Sequence, residues 1–141
     1  MIPFFYSCEG DGTCSENVES RVQIGFYTLS DDMERTAKIS QFSMYGIQHP
    51  DSVLRGNNVS GFDFPLSMHA TSSTLVMTAD TMTDTLEVHY SSRLVLISWE
   101  CGFTNQFEIL SLNHTGNFID SIAIVKALTD RSELENLKIF L

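Results

Sequence analysis

The sequence predicts an all-β domain, an antiparallel β-sandwich (Ig-like or similar) of about nine or ten short strands. Three observations lead there. Apolar residues recur with period two over most of the chain. Clusters of Gly, Asn, Asp, Pro and Ser break that alternation roughly every 8–12 residues. No stretch sustains a helical period, so the apolar faces have to be buried sheet against sheet.

Residues 1–20 read as the residual end of a signal peptide, a lipidation cysteine and a flexible tether, and residues 21–141 as a single sandwich domain. The first strand spans 21–29, with Val22, Ile24 and Phe26 on one face. A polar turn over 30–35 leads to a strand over 37–46, and His49-Pro50-Asp51 breaks the pattern. A short strand over 52–55 is followed by a turn at Gly56-Asn57-Asn58. Phe62, Phe64, Leu66 and Met68 then alternate, and Pro65 within that run demands an edge or a bulge. Stretches 74–79 and 85–90 flank Asp80-Thr81-Met82-Thr83-Asp84 as a hairpin, with Leu86, Val88 and Tyr90 inward. Stretch 93–101 is the most apolar and reads as a central strand, with Trp99 packed against Cys101. The strand carrying Cys101 is therefore expected deep in the structure. Strands over 103–112 and 118–125 follow, split by Asn113-His114-Thr115-Gly116-Asn117. One helical turn fits 129–136, capped by Asp130 with Glu133 three residues on, and Leu137, Ile139 and Leu141 close the chain as a strand.

At 141 residues the chain is of single-domain size and buries about two-thirds of its unfolded surface. The net charge of −10, from 18 acidic and 8 basic residues, is spread along the chain and repels phosphate backbones. With no basic stripe to offset it, nucleic acid is excluded as a partner. Solubility alone is a sufficient reason for the acidity.

The start carries the strongest signal. Phe4-Phe5-Tyr6-Ser7-Cys8-Glu9-Gly10-Asp11 is an apolar, aromatic run ending in a small residue, a cysteine and an acidic stretch. That resembles the last part of a bacterial lipoprotein signal peptide, with Cys8 as the lipidated residue. Only seven residues precede Cys8, and a hydrophobic first strand with an incidental cysteine fits the same residues. Once Cys8 is set aside for acylation, Cys14 and Cys101 remain as one disulfide pair. Closing that loop is worth roughly 4 kcal/mol in the chain-entropy model. The competing reading is three reduced cytosolic thiols. No Cys-x-x-Cys spacing supports zinc or redox chemistry.

No catalytic or metal constellation stands out. His49, His69, His89 and His114 are scattered over loops and strand ends, and His89 with Glu87 makes only half a ligand set. Asp80 and Asp84 bracket a Thr-rich turn that could collect calcium, and Glu9 and Asp11 could do the same. The Asp80/Asp84 turn lacks a calcium-loop spacing and is expected to be solvated, and Glu9 and Asp11 are expected on a solvated tether. No nucleophile elbow or phosphate loop occurs, and no cofactor is implied. Tyr27, Phe42, Tyr45 and Phe62 could form a sugar platform, although alternation already explains most of them as core. Asn58-Val59-Ser60 and Asn113-His114-Thr115 match glycosylation sequons by chance in a bacterial host.

The late segment carries a wider resemblance. Asp84-Thr85-Leu86-Glu87-Val88-His89-Tyr90, Arg93-Leu94-Val95-Leu96-Ile97-Ser98-Trp99-Glu100-Cys101-Gly102-Phe103 and Phe107-Glu108-Ile109-Leu110 resemble a family of small Bacteroidota envelope lipoproteins of unknown function. Cys8-Glu9, Cys14, Ile24-Gly25-Phe26-Tyr27, Phe64-Pro65-Leu66-Ser67 and the closing Leu137-Lys138-Ile139-Phe140-Leu141 fit as well. The resemblance implies a lipid-anchored β-domain at the outer membrane, periplasmic or surface-exposed, with Cys8 acylated and Cys14 available to Cys101. It also implies that Glu9 and Asp11 accompany export to the outer face. It brings no catalytic or ligand residues.

Three function classes follow. The first is a non-enzymatic envelope lipoprotein that binds an envelope protein or glycan and meets the membrane through its lipid anchor only. The second is an acidic cytosolic inhibitor or immunity protein that masks a basic partner. The third is a small hydrolase built on paired carboxylates.

Overall fold

The structure is a computed structural model that describes residues 14, 20–130, 132 and 134–141. The expectations placed on Cys8, Glu9 and Asp11 fall outside the described residues. The described residues form ten strands: β1 (Arg21–Ser30), β2 (Met33–Thr36), β3 (Ile39–Gly46), β4 (Leu54–Val59), β5 (Gly61–Pro65), β6 (Ser72–Ala79), β7 (Met82–Ser98), β8 (Gly102–His114), β9 (Ser121–Ile124) and β10 (Leu137–Phe140). They form two packed five-stranded sheets, as the alternation predicts. One sheet runs β4-β3-β6-β7-β8 and the other β2-β1-β10-β9, with β5 also on β1.

The core is the set of alternating inward faces. Val22, Ile24 and Phe26 from β1 and Leu137 and Ile139 from β10 meet Phe42 and Met44 from β3, Met77 from β6 and Leu86, Val88 and Tyr90 from β7. Phe26 and Phe42 join the two sheets edge to face at 5.3 Å between ring centroids, and Phe62 stacks at 5.1 Å from Phe42. Tyr90 is buried with its hydroxyl satisfied: it donates to the Ser67 carbonyl (2.8 Å) and accepts from the Ser67 N–H (3.1 Å). β5 pairs only with β1, so Pro65 does sit on an edge strand.

Several sequence expectations need correction. The sandwich is not wholly antiparallel, because β10 lies parallel to β1, Ile24 opposite Leu137 and Tyr27 opposite Phe140. The turn expected over 30–35 shrinks to Asp31-Asp32, both at positive φ (51° and 62°), and Met33–Thr36 pairs as β2. Two successive left-handed residues match the twist of the flanking strands, which is why a two-residue turn suffices.

Gly56-Asn57-Asn58 is no turn; Gly56 and Asn57 pair with Phe42 and Gln41 inside β4. An edge strand tolerates such polar residues. The change of direction falls next to them, where the chain leaves one sheet through Ser60 and enters the other as β5. Gly61 permits that passage, since a Cβ there would lie 2.4 Å from the Ile24 carbonyl oxygen.

The helical turn expected over 129–136 does not form among the described residues. Asp130 instead accepts from the N–H (2.8 Å) and hydroxyl of Ser132 and pairs with Lys126 at 2.6 Å. The strand expected over 118–125 shortens to β9, because the N–H groups of Asn117, Phe118 and Ile119 are drawn to Asp84.

The largest departure concerns 93–101. Its residues up to Ser98 belong to a 17-residue β7 that β6 accompanies only from Met82 to His89, and the rest form a turn. Beyond His89, β7 pairs with β8 alone, and the two strands run on as a ribbon to Ser98 and Gly102. The apolar run is therefore not a central strand. Leu94 and Trp99 stand out at 63% and 87% exposure.

Candidate functional site

The ribbon is built by register. A bulge between His89/Tyr90 leaves Leu110 unpaired, and the pairs continue as Tyr90–Ile109, Ser92–Phe107, Leu94–Asn105 and Leu96–Phe103. Residues directly opposite in an antiparallel pair share a face. The face that is core at Tyr90, Phe107 and Ile109 thus continues outward to Leu94, Leu96 and Phe103, which are exposed. Met68 flanks it, with its sulfur accepting from the Asn105 amide. Between Ser92 and Phe107 the only charged side chains are Arg93 and Glu100, of opposite sign.

The tip is a three-residue turn, Trp99-Glu100-Cys101, closed by Gly102 at φ +75°. The Cys101 N–H donates to Ser98 Oγ at 3.0 Å. Cys101 is joined to Cys14 by a disulfide, with the Cα atoms 4.7 Å apart and 87 residues between the two in sequence. The bond holds the N-terminal segment to the far end of the ribbon, not to a deep strand, and Trp99 points to solvent instead of packing on it. On the opposite face Val95, Ile97, Thr104 and Gln106 line a shallow depression of about 430 Å³ with Ser20 and Asp130.

The other candidate residues are occupied structurally. Asp84 is fully buried. One carboxylate oxygen accepts from the Thr115 hydroxyl and the Asn117 N–H (2.7 Å), the other from the N–H groups of Phe118 (2.7 Å) and Ile119 (2.9 Å). Burial alone would raise its pKa, but these four donors outweigh it and hold the carboxyl below its ordinary value. Asp80 lies across the turn and accepts from the Gln41 N–H, so the two do not share a cation.

His89 and Glu87 pair at 3.0 Å on an exposed face, and the imidazole bond, with Asn113, lowers the Glu87 pKa. His49 and His69 line one open concavity of about 470 Å³ beside Tyr90. Among the described residues no three His, Cys, Asp or Glu side chains come together to hold a metal ion.

The sugar platform is dispersed as well. Phe42 is core and Phe62 packs on it, whereas Tyr27 lies in a polar cluster on β1. The Tyr27 hydroxyl donates to Glu135 Oε1 at 2.6 Å, and Lys138 sits 4.8 Å over the ring while pairing with Glu34. The Glu135 bond above all, with burial and the charges of Glu135 and Glu34, pushes the Tyr27 pKa up to about 12. Such a phenol is held neutral and is not a nucleophile.

What remains is a two-sheet β-sandwich with a disulfide-tied, apolar ribbon and no reactive cluster among the described residues. The chain belongs to a family of unknown function (DUF6452), whose model matches residues 41–141. That match begins within β3, while β1 pairs with β10, β2 and β5 and so is integral to the same fold. No curated protein and no solved structure matches the chain.

Proposed function

We propose that the protein is a non-enzymatic lipoprotein of the cell envelope, anchored at the outer membrane through Cys8, that serves as a protein- or glycan-binding accessory module. The observation that carries this reading is the Cys14–Cys101 bond. A disulfide of this kind belongs to an oxidising compartment, and it leaves Cys8 as the odd cysteine behind an apolar run. The resemblance to Bacteroidota envelope lipoproteins supports the same placement. The engagement of two acidic groups supports a non-enzymatic role. Asp84 is saturated by loop donors and Asp130 is engaged by Lys126 and Ser132, so neither is available as an acid or base.

The cytosolic-inhibitor reading requires reduced thiols and lacks any such support. Fractionation of the native cells separates the two. The wild-type chain is expected in the membrane fraction, and Cys8→Ser in the soluble fraction of the envelope. A wild-type chain in the cytosol with three alkylatable thiols would refute the proposal.

A further inference from the structure

The far end of the ribbon combines three features found nowhere else among the described residues. Leu94, Leu96 and Phe103 form a continuous exposed apolar face, and Trp99 projects from the turn beyond them at 87% exposure. The ribbon end itself carries only two opposite charges, Arg93 and Glu100, and the sequence around its partner Cys14 adds Glu9, Asp11, Glu16 and Glu19 with no basic residue before Arg21. Cys101, in the same turn, is covalently tied to Cys14.

That tie fixes where this end can go. Six residue steps separate Cys8 from Cys14, and a fully extended chain of that length reaches only about 20 Å. An anchor at Cys8 therefore holds Trp99 within reach of the lipid headgroups, at a high local concentration relative to them. Tryptophan favours that interface because its ring is apolar and its N–H stays wet.

We propose that the β7–β8 tip is a second membrane contact: Trp99, Leu96, Phe103 and Leu94 lie in the headgroup region of a zwitterionic lipid surface. The lipid class follows from charge, since a protein of −10, with Glu9, Asp11, Glu16 and Glu19 around the cysteine tied to the tip, is repelled by anionic leaflets. The domain then stands on two points, acyl chains and tip, which fixes the ribbon end toward the membrane and turns the other end of the sandwich outward. The proposal takes its cellular setting from the Cys8 anchor, but the contact itself is a property of the tip.

The chain contains one tryptophan, so its emission reports the tip alone. The 141-residue protein, oxidised at Cys14–Cys101, is coupled through the Cys8 thiol to maleimide-headgroup lipid in phosphatidylcholine vesicles with or without brominated acyl chains. Coupling replaces biological acylation, so the result is independent of whether cells lipidate Cys8. Loss of most Trp99 emission on the brominated vesicles, with a blue shift on the unbrominated ones, is expected. The Leu96→Glu/Phe103→Glu variant, checked for an unchanged fold by circular dichroism, is expected to restore the emission. Equal Trp99 emission on both vesicle types would overturn the proposal and assign the apolar face to a protein partner.

Discussion

At the scale of single residues, Asp84 and Tyr27 show how polar side chains fix loops on this framework. Asp84 ties the β8–β9 loop to the β6–β7 hairpin through Thr115, Asn117, Phe118 and Ile119. Asp84→Asn turns one acceptor oxygen into a donor facing donors, and is expected to cost about 2–4 kcal/mol in urea unfolding at neutral pH. Because the folded-state pKa is lowered, the carboxylate contributes stability above its ordinary value of 3.8 and loses it as pH falls through the lowered one. Asp130, held at about 2, behaves in the same way. The gap between wild type and Asp84→Asn should accordingly narrow in acid, measured by repeating the unfolding below pH 3.8. Tyr27 has the opposite sign: a raised phenol pKa stabilises the fold below pH 10 and ceases to do so as pH rises through about 12. Glu135→Gln should bring this ionisation back toward 10, read as the difference in ultraviolet titration between each background and its Tyr27→Phe counterpart. The sequence named Asp84 and Tyr27 but misassigned both. A hairpin-turn carboxylate looks solvated until the loop that reaches it, 31 to 35 residues later, is placed.

At the scale of elements, the alternation made most strands legible: β6 and the first half of β7 bury every second residue, and β1 does so at Val22, Ile24 and Phe26. Apolar content was a poorer guide to depth than to strand formation. The run Leu94-Val95-Leu96-Ile97 is as apolar as a central strand, yet β6 pairing ends opposite His89 and leaves the run flanked by β8 alone. Nothing local records where a neighbouring strand ends. The cysteine pairing was readable from parity; its position at a ribbon tip was not. A two-stranded ribbon is marginal by itself, so the Cys14–Cys101 bond is expected to hold it. Reduction should speed hydrogen exchange at Val95–Thr104 while leaving the Leu86 and Val88 amides protected. Unchanged exchange at Val95 and Thr104 would show that β-pairing holds the tip unaided.

At the scale of the whole molecule, two sheets are closed by strands drawn from both ends of the domain. β10 inserts between β1 and β9 with Leu137 and Ile139 fully buried. Ile139→Ala is expected to cost about 2–5 kcal/mol and to lower the single unfolding midpoint of the entire domain. A change confined to the C-terminal region would contradict that closure. The alternation of Leu137, Ile139 and Leu141 announced this strand, but its parallel partner, more than 100 residues away, is a property of topology that no local pattern encodes. At the same scale the acidic surface, the tied ribbon and Cys8 enter the proposed account of a module held at a membrane in an oxidising compartment. The most direct test is mass spectrometry of the protein isolated from its native cells, alkylated without reductant before digestion. The account predicts a Cys14–Cys101 cross-linked peptide and a Cys8 carrying diacylglycerol. Three alkylated cysteines on an unacylated chain would contradict it.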